Sequence, residues 1–160
     1  MLLIRPMFIW SAVLLVIVFA SIHVHANAGV TVEKISEAAL DELIQSGNNK
    51  MVITFMAAWC GPCIDELPSL NRLYKKYNDR GLKFVGISID IEGPRAMQSI
   101  IDKLNVGFPV YWYGESALKK FSIFAIPMVY LVKNGQVVKK LPGRRSERDL
   151  EKKIRKFLDL

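Results

Sequence analysis

The sequence predicts an α/β fold, a mixed central sheet with helices packed against it. Three observations carry this. Short, mostly apolar runs at Met51–Ala58, Lys83–Ile89 and Met128–Val132 read as strands buried within a sheet. Stripes of apolar residues at helical spacing lie between them. An Asn134-Gly135 pair then joins the last two strands, a strong hairpin signal that makes one side of the sheet antiparallel. Alternating strands and helices closed by a hairpin give a mixed sheet flanked by helices.

The leader precedes all of this. Residues 1–28 hold one charged residue, Arg5, then an uncharged run from Met7 to Ile22, then Ala26-Asn27-Ala28, an A-x-A pattern. That is the layout of a secretory signal peptide cut after Ala28. The rival is an uncleaved membrane anchor, because the apolar run falls between the ~7–15 residues of a signal and the ~20 that span a bilayer. Both readings make residues 29–160 one periplasmic or otherwise extracytoplasmic domain, soluble after cleavage or anchored by the leader. The only histidines, His23 and His25, stand just ahead of the cut. A metal site is one reading of them; a polar flank to the cleavage site is the plainer one. Once cut, the mature chain has no histidine, which excludes Cys–His and Ser–His–Asp catalysis and histidine-containing zinc sites. Two cysteines alone cannot complete a tetrahedral zinc site either, so no metal and no cofactor is expected.

The elements follow in order. Val30–Ile35 alternates weakly as a short edge strand. Ser36 caps a helix with apolar positions Ala39, Leu40, Leu43 and Ile44, stopped by Gly47-Asn48-Asn49. After the strand Met51–Ala58 comes Trp59-Cys60-Gly61-Pro62-Cys63. From Cys63 a helical stripe runs through Ile64, Leu67, Leu70, Leu73, Tyr74 and Tyr77 to Gly81, with Pro68 inside it. Pro94 opens a helix to Leu104, Phe108–Tyr113 reads as a strand and Ser116 begins a short helix ending near Phe121. The hairpin strands are Met128–Val132 and Gln136–Leu141. Ser146 with Asp149 forms a variant capping box for a last helix to Leu158.

The formal net charge is +7, with the basic excess late, in Lys139-Lys140, Arg144-Arg145 and Lys152-Lys153-Arg155-Lys156. Such runs can bind nucleic acid. An exported protein rarely meets nucleic acid, so the preferred reading is a solvated terminal helix open to an anionic membrane face.

The chemistry centres on Cys60 and Cys63, the only cysteines in 160 residues. A thiol attacks as thiolate, and Cys60 sits just before a helix, where unpaired N–H groups and the dipole favour an anion. Cys60 is therefore the expected nucleophile and the more exposed sulfur. Cys63, one turn on, resolves the mixed disulfide that Cys60 forms. The rival is a static structural bridge, but closing so short a loop adds little stability, because the entropic gain grows with loop length. Exchange explains the spacing better than stabilisation does.

Trp59–Cys63 at the end of an apolar strand, Pro68 in the next helix, Ile126-Pro127 ahead of a strand and Gly143 before the last helix closely resemble the thioredoxin superfamily. The extra helix and strand around Pro94–Tyr113, with the export leader, resemble the TlpA-like group of exported thiol–disulfide proteins, which includes members serving cytochrome c maturation. The resemblance implies a thioredoxin-like fold with a helix–strand insertion. It implies a cis Pro127 lying against the cysteine pair, and a substrate rim of Trp59, Gly61, Pro62, Ile126 and Pro127. Read without it, Pro127 is an entry proline and Trp59 is strand-end packing. Thioredoxins carry a buried aspartate where Thr54 stands, and threonine cannot move a proton for Cys63. Glu66, one helical turn from Cys63, is the candidate replacement; its plainer reading is a first-turn carboxylate welcomed by the helix dipole. Asp65 reads as solvated.

The implied activity is thiol–disulfide exchange with exported protein substrates, as a reductant fed by a membrane thiol donor. Its rivals are an oxidant of folding clients, a thiol peroxidase, and a copper carrier on the same fold, which would need a histidine or methionine ligand near the thiols; Met56 and Met128 read more easily as core or substrate-groove residues.

Overall fold

The computed structural model describes residues 29–46 and 50–159. The leader, with its cleavage motif and both histidines, and the Gly47-Asn48-Asn49 helix stop lie outside the described residues. In order the elements are β1 (Glu33–Lys34), α1 (Glu37–Gln45), β2 (Lys50–Met56), α2 (Gly61–Tyr77), β3 (Leu82–Ser88), α3 (Pro94–Lys103), β4 (Val110–Trp112), α4 (Ser116–Lys120), β5 (Met128–Lys133), β6 (Gln136–Pro142) and α5 (Glu147–Leu158). The strands form one sheet in the order β1-β4-β3-β2-β5-β6. The first four of these run parallel to one another, while β5 is antiparallel to β2 and β6 to β5. The α3–β4 unit is the expected insertion, since β4 sits between β1 and β3.

The alternation along β2 sorts the core into two layers. Ile53 is in register with Val85 and Tyr130, and Phe55 with Ile87 and Met128, so these side chains share one face. There Phe55 packs against Phe121 and Tyr130 at centroid distances of 5.0 and 5.1 Å. Val52, Thr54 and Met56 share the other face with Phe84 and Gly86. That face lies under α2, whose Tyr74 meets Phe84 and Phe108 edge-on at 5.9 Å. Gly86 leaves room for this layer: a Cβ there would stand 2.5 Å from the Met56 Cε.

Local signals set most boundaries. The Ser36 and Ser146 hydroxyls accept from the Ala39 and Asp149 N–H groups, as the caps predict. Asn134 and Gly135 take φ of 52° and 76°, the pair of positive values that a two-residue hairpin turn demands. Two strands are shorter than their sequence patterns. The Val32 N–H donates to Gln98 Oε1 and the Val30 carbonyl accepts from Gln98 Nε2, which delays β1 until Glu33. Pro109 has no N–H for the ladder, so β4 begins at Val110. Ala39 is exposed, and only Leu40 of the α1 stripe is fully buried.

Because β2 and β3 are parallel and β5 is antiparallel to β2, three connections meet at one end of the sheet. They are the turn from β2 into α2, the loop leaving β3 and the loop entering β5. The cysteines, Asp90 and Pro127 are therefore neighbours by topology.

Candidate active site

Residues 57–60 make a tight turn off β2, with the Cys60 N–H on the Ala57 carbonyl at 3.1 Å. Cys60 is the N-cap of α2: its carbonyl accepts from Cys63 and Ile64, and its Sγ accepts from the Cys63 N–H at 3.2 Å. Gly61 and Pro62 occupy the first turn, where Pro62 forfeits no helical hydrogen bond. Helix formation thus begins at Gly61, two residues before the apolar stripe. Cys60 and Cys63 are joined as a disulfide with Cα atoms 5.3 Å apart. Both cysteines are buried in the disulfide, Cys60 at 4% exposed and Cys63 at 2%. The open parts are Gly61, Pro62 and Trp59, which is 63% exposed.

The Ile126–Pro127 peptide bond is cis. Pro127 is buried and Ile126 half-buried, one residue outside the Phe55–Met128 pair, at the sheet end that bears Cys60. The Pro127 carbonyl accepts from the Gly143 N–H at 2.9 Å. Gly143 holds φ 73°, which suits glycine. Two residues on, the Arg145 N–H donates to Glu66 Oε1 at 2.7 Å.

Glu66 is 1% exposed, and its Oε2 has no hydrogen-bond partner among the described residues. Burial raises its pKa above the ordinary carboxylate value, against the Arg145 N–H bond and the charges of Arg145 and Arg144, which lower it. It is not a solvated helix-dipole carboxylate. Asp65 is exposed, with Arg144 Nε 3.8 Å away. Thr54 is buried on the sheet face beneath α2, and Met56 and Met128 are core residues.

The structure adds a residue that the sequence reading missed. Asp90 is wholly buried just beyond β3; its Oδ1 accepts from the Ala58 N–H at 2.8 Å and its Oδ2 from the Ser88 hydroxyl at 2.7 Å. The Asp90 carbonyl accepts from the Trp112 indole at 2.6 Å. Asp90 therefore pins the turn that presents Trp59 and Cys60. The signal was a polar pair, Ser88 and Asp90, closing an apolar strand.

The family model for the AhpC/TSA family matches residues 26–141. The chain belongs to the AhpC/TSA family. Among curated proteins it is similar to the thiol-disulfide oxidoreductase ResA of Bacillus thuringiensis, 28% identical over 107 residues, 66% of this chain and 61% of the relative. The chain thus spans less than two thirds of that relative's length. Two solved structures are similar to this AhpC/TSA family chain. A thiol:disulfide interchange protein of the thioredoxin family from Chlorobium tepidum superposes with a TM-score of 0.64 at 23% identity, covering 74% of this chain and 84% of that one. A yeast mitochondrial 1-Cys peroxiredoxin superposes with a TM-score of 0.57 at 26% identity, covering 78% and 93%. The fold is the α/β thioredoxin-like fold.

Proposed function

We propose that this AhpC/TSA family protein is a thiol–disulfide oxidoreductase that reduces disulfides of extracytoplasmic proteins. The observation that carries the reading is the Cys60–Cys63 disulfide closed across the N-cap of α2. Reduction frees Cys60 where helix N–H groups stabilise its thiolate. That thiolate attacks a client disulfide, forms a mixed disulfide and expels one client thiolate. Cys63 then gives its proton to Glu66 and attacks the Cys60 sulfur, releasing the second client thiolate and closing the enzyme's own disulfide. Two electrons pass to the client, and a membrane dithiol donor restores the enzyme.

Trp59, Gly61, Pro62, Ile126 and Pro127 form the rim that receives the client chain. Phe124, 95% exposed on the loop that leads to Pro127, and the exposed Ile91 beyond β3 extend its apolar surface at the same end of the sheet. Apolar, unfolded segments that carry a disulfide fit such a rim. Apocytochrome c is a client of this chemistry, as the TlpA-like resemblance implies.

The test is reduction of insulin disulfides with dithiothreitol as donor. Wild-type protein accelerates it, Cys60→Ser abolishes the activity, and Cys63→Ser accumulates a mixed disulfide on Cys60. The Gly61-Pro62 dipeptide matches that of thioredoxin, whose potential is about −270 mV, and a measured value near about −120 mV would reverse the direction to oxidation. The likeness to a peroxiredoxin structure supports a second reading as a thiol peroxidase. Stoichiometric peroxide consumption by prereduced protein that fails with insulin would favour it.

A further inference from the structure

The acidic side chains of α5 are all engaged. Glu147 binds Arg72 at 2.6 Å, Glu151 binds Lys76 at 2.6 Å and the Tyr77 hydroxyl at 2.8 Å, and Asp149 binds Arg145 at 2.6 Å with Lys153 at 3.8 Å. Four bases are left over. Arg148, Lys152, Arg155 and Lys156 are exposed and make no ion pair or hydrogen bond among the described residues. At 3.6 residues per turn they fall on one stripe about 100° wide, opposite the buried Leu150 and Ile154. Arg80, in the 3-10 turn Asn78–Arg80 that follows α2, extends the stripe: it lines a shallow cleft with Arg155, Tyr77 and Glu151.

Arg148 with Lys152, and Lys152 with Lys156, are like-charge pairs at i,i+4, which destabilise a helix. Asp149 and Glu151 flank the stripe but are already paired with Arg145 and Lys76, so among the described residues no ion pair offsets the like-charge spacing, and such broken local rules point to an external partner. The orientation suits one. The first turn of α5 adjoins the segment that holds Pro127 and Glu66, while the Leu158 carbonyl accepts from Lys50 at the opposite end of β2. The stripe therefore runs down a flank and away from Cys60 and Cys63.

We propose that this stripe docks the protein on an anionic phospholipid surface with the dithiol end left free. Charge complementarity with lipid phosphates supplies the attraction. Where the leader is retained, its apolar run Met7–Ile22 adds a second attachment to the same surface. Nucleic acid fits less well, since no aromatic side chain interleaves the four bases to stack on nucleotides. The proposal is independent of the redox reading, and its test involves no thiol chemistry.

The experiment compares partition of the full chain into vesicles of phosphatidylcholine with phosphatidylglycerol and of phosphatidylcholine alone. The ratio cancels whatever the apolar run contributes to both. Expected is a preference of about tenfold or more for the anionic vesicles at about 0.1 M salt, falling towards unity at about 1 M, where the screening length shrinks from ~10 to ~3 Å. The variant Arg148→Gln, Lys152→Gln, Arg155→Gln, Lys156→Gln loses the preference. The variant Lys83→Gln, Lys103→Gln, Lys119→Gln, Lys139→Gln, with the same net charge, keeps it. Equal loss in both variants reduces the effect to net charge and overturns the proposal. So does a wild-type ratio near one, or duplex DNA bound by the stripe more tightly than the anionic vesicles; the wild-type salt series decides even if a variant misfolds.

Discussion

Glu66 keeps one carboxylate oxygen on the Arg145 N–H and leaves the other without a hydrogen-bond partner among the described residues. Burial raises its pKa from an ordinary value of 4.5, so the folded chain holds this proton more tightly than the unfolded chain does. The contribution to stability is therefore greatest below the unfolded value and is lost as pH climbs through the raised folded value. Glu66→Gln removes this dependence. Thermal melts of the oxidised proteins should agree below about pH 4.5, with the variant gaining on wild type as pH rises. A carboxylate whose affinity for a proton is raised by burial is also better suited to accept one from Cys63. In the proposed reaction Glu66→Gln slows release of the mixed disulfide by about 100-fold at neutral pH, read by stopped-flow fluorescence of Trp59. A release rate with the wild-type pH profile would leave Glu66 a packing residue. The spacing to Cys63 was legible in the sequence. The burial was not, because the segment that meets this carboxylate, through the Arg145 N–H, lies 79 residues away.

At the scale of the element, the turn between β2 and α2 depends on a side chain from elsewhere. Asp90→Ala takes the carboxylate acceptor from the half-buried Ala58 N–H and the buried Ser88 hydroxyl, at a cost of about 3 kcal/mol in urea unfolding. Asp90→Asn recovers most of this, since its amide can accept from Ala58 and donate to Ser88. Equal losses in the two variants would show that charge, and not the bonding pattern, holds the turn. The same division explains what could be read in advance. Caps at Ser36 and Ser146, the Asn134-Gly135 turn and the buried strands are local patterns, and each was legible from neighbouring residues. The ends of β1 and the grip of Asp90 on Ala58 are contacts across 66 and 32 positions, which no window of sequence contains.

For the whole molecule, the family match ends at residue 141, yet the fold is closed by the helix beyond it. Through α5 the chain buries Leu150 and Ile154 and clamps α2 with Glu147 and Glu151. Leu150→Ala should cost about 3 kcal/mol in urea unfolding, as buried leucines do. A loss below about 0.5 kcal/mol, the size of an ordinary surface substitution, would show α5 to be an appendage. The overall architecture was legible because strand and helix periodicities are repeated along the chain. The resemblance pointed to an extra helix and strand, but the place of β4 between β1 and β3 was not legible, since spacing alone does not reveal sheet order.

The segment from Gly143 to Arg145 has a mechanical consequence. One amide holds the Pro127 carbonyl, and another, two residues on, holds Glu66. The loop that would grip a client and the carboxylate that would take a proton from Cys63 hang from the same short length of backbone. In the proposed cycle, a tug on one is felt by the other, so the departing client and the returning proton share a single hinge pin.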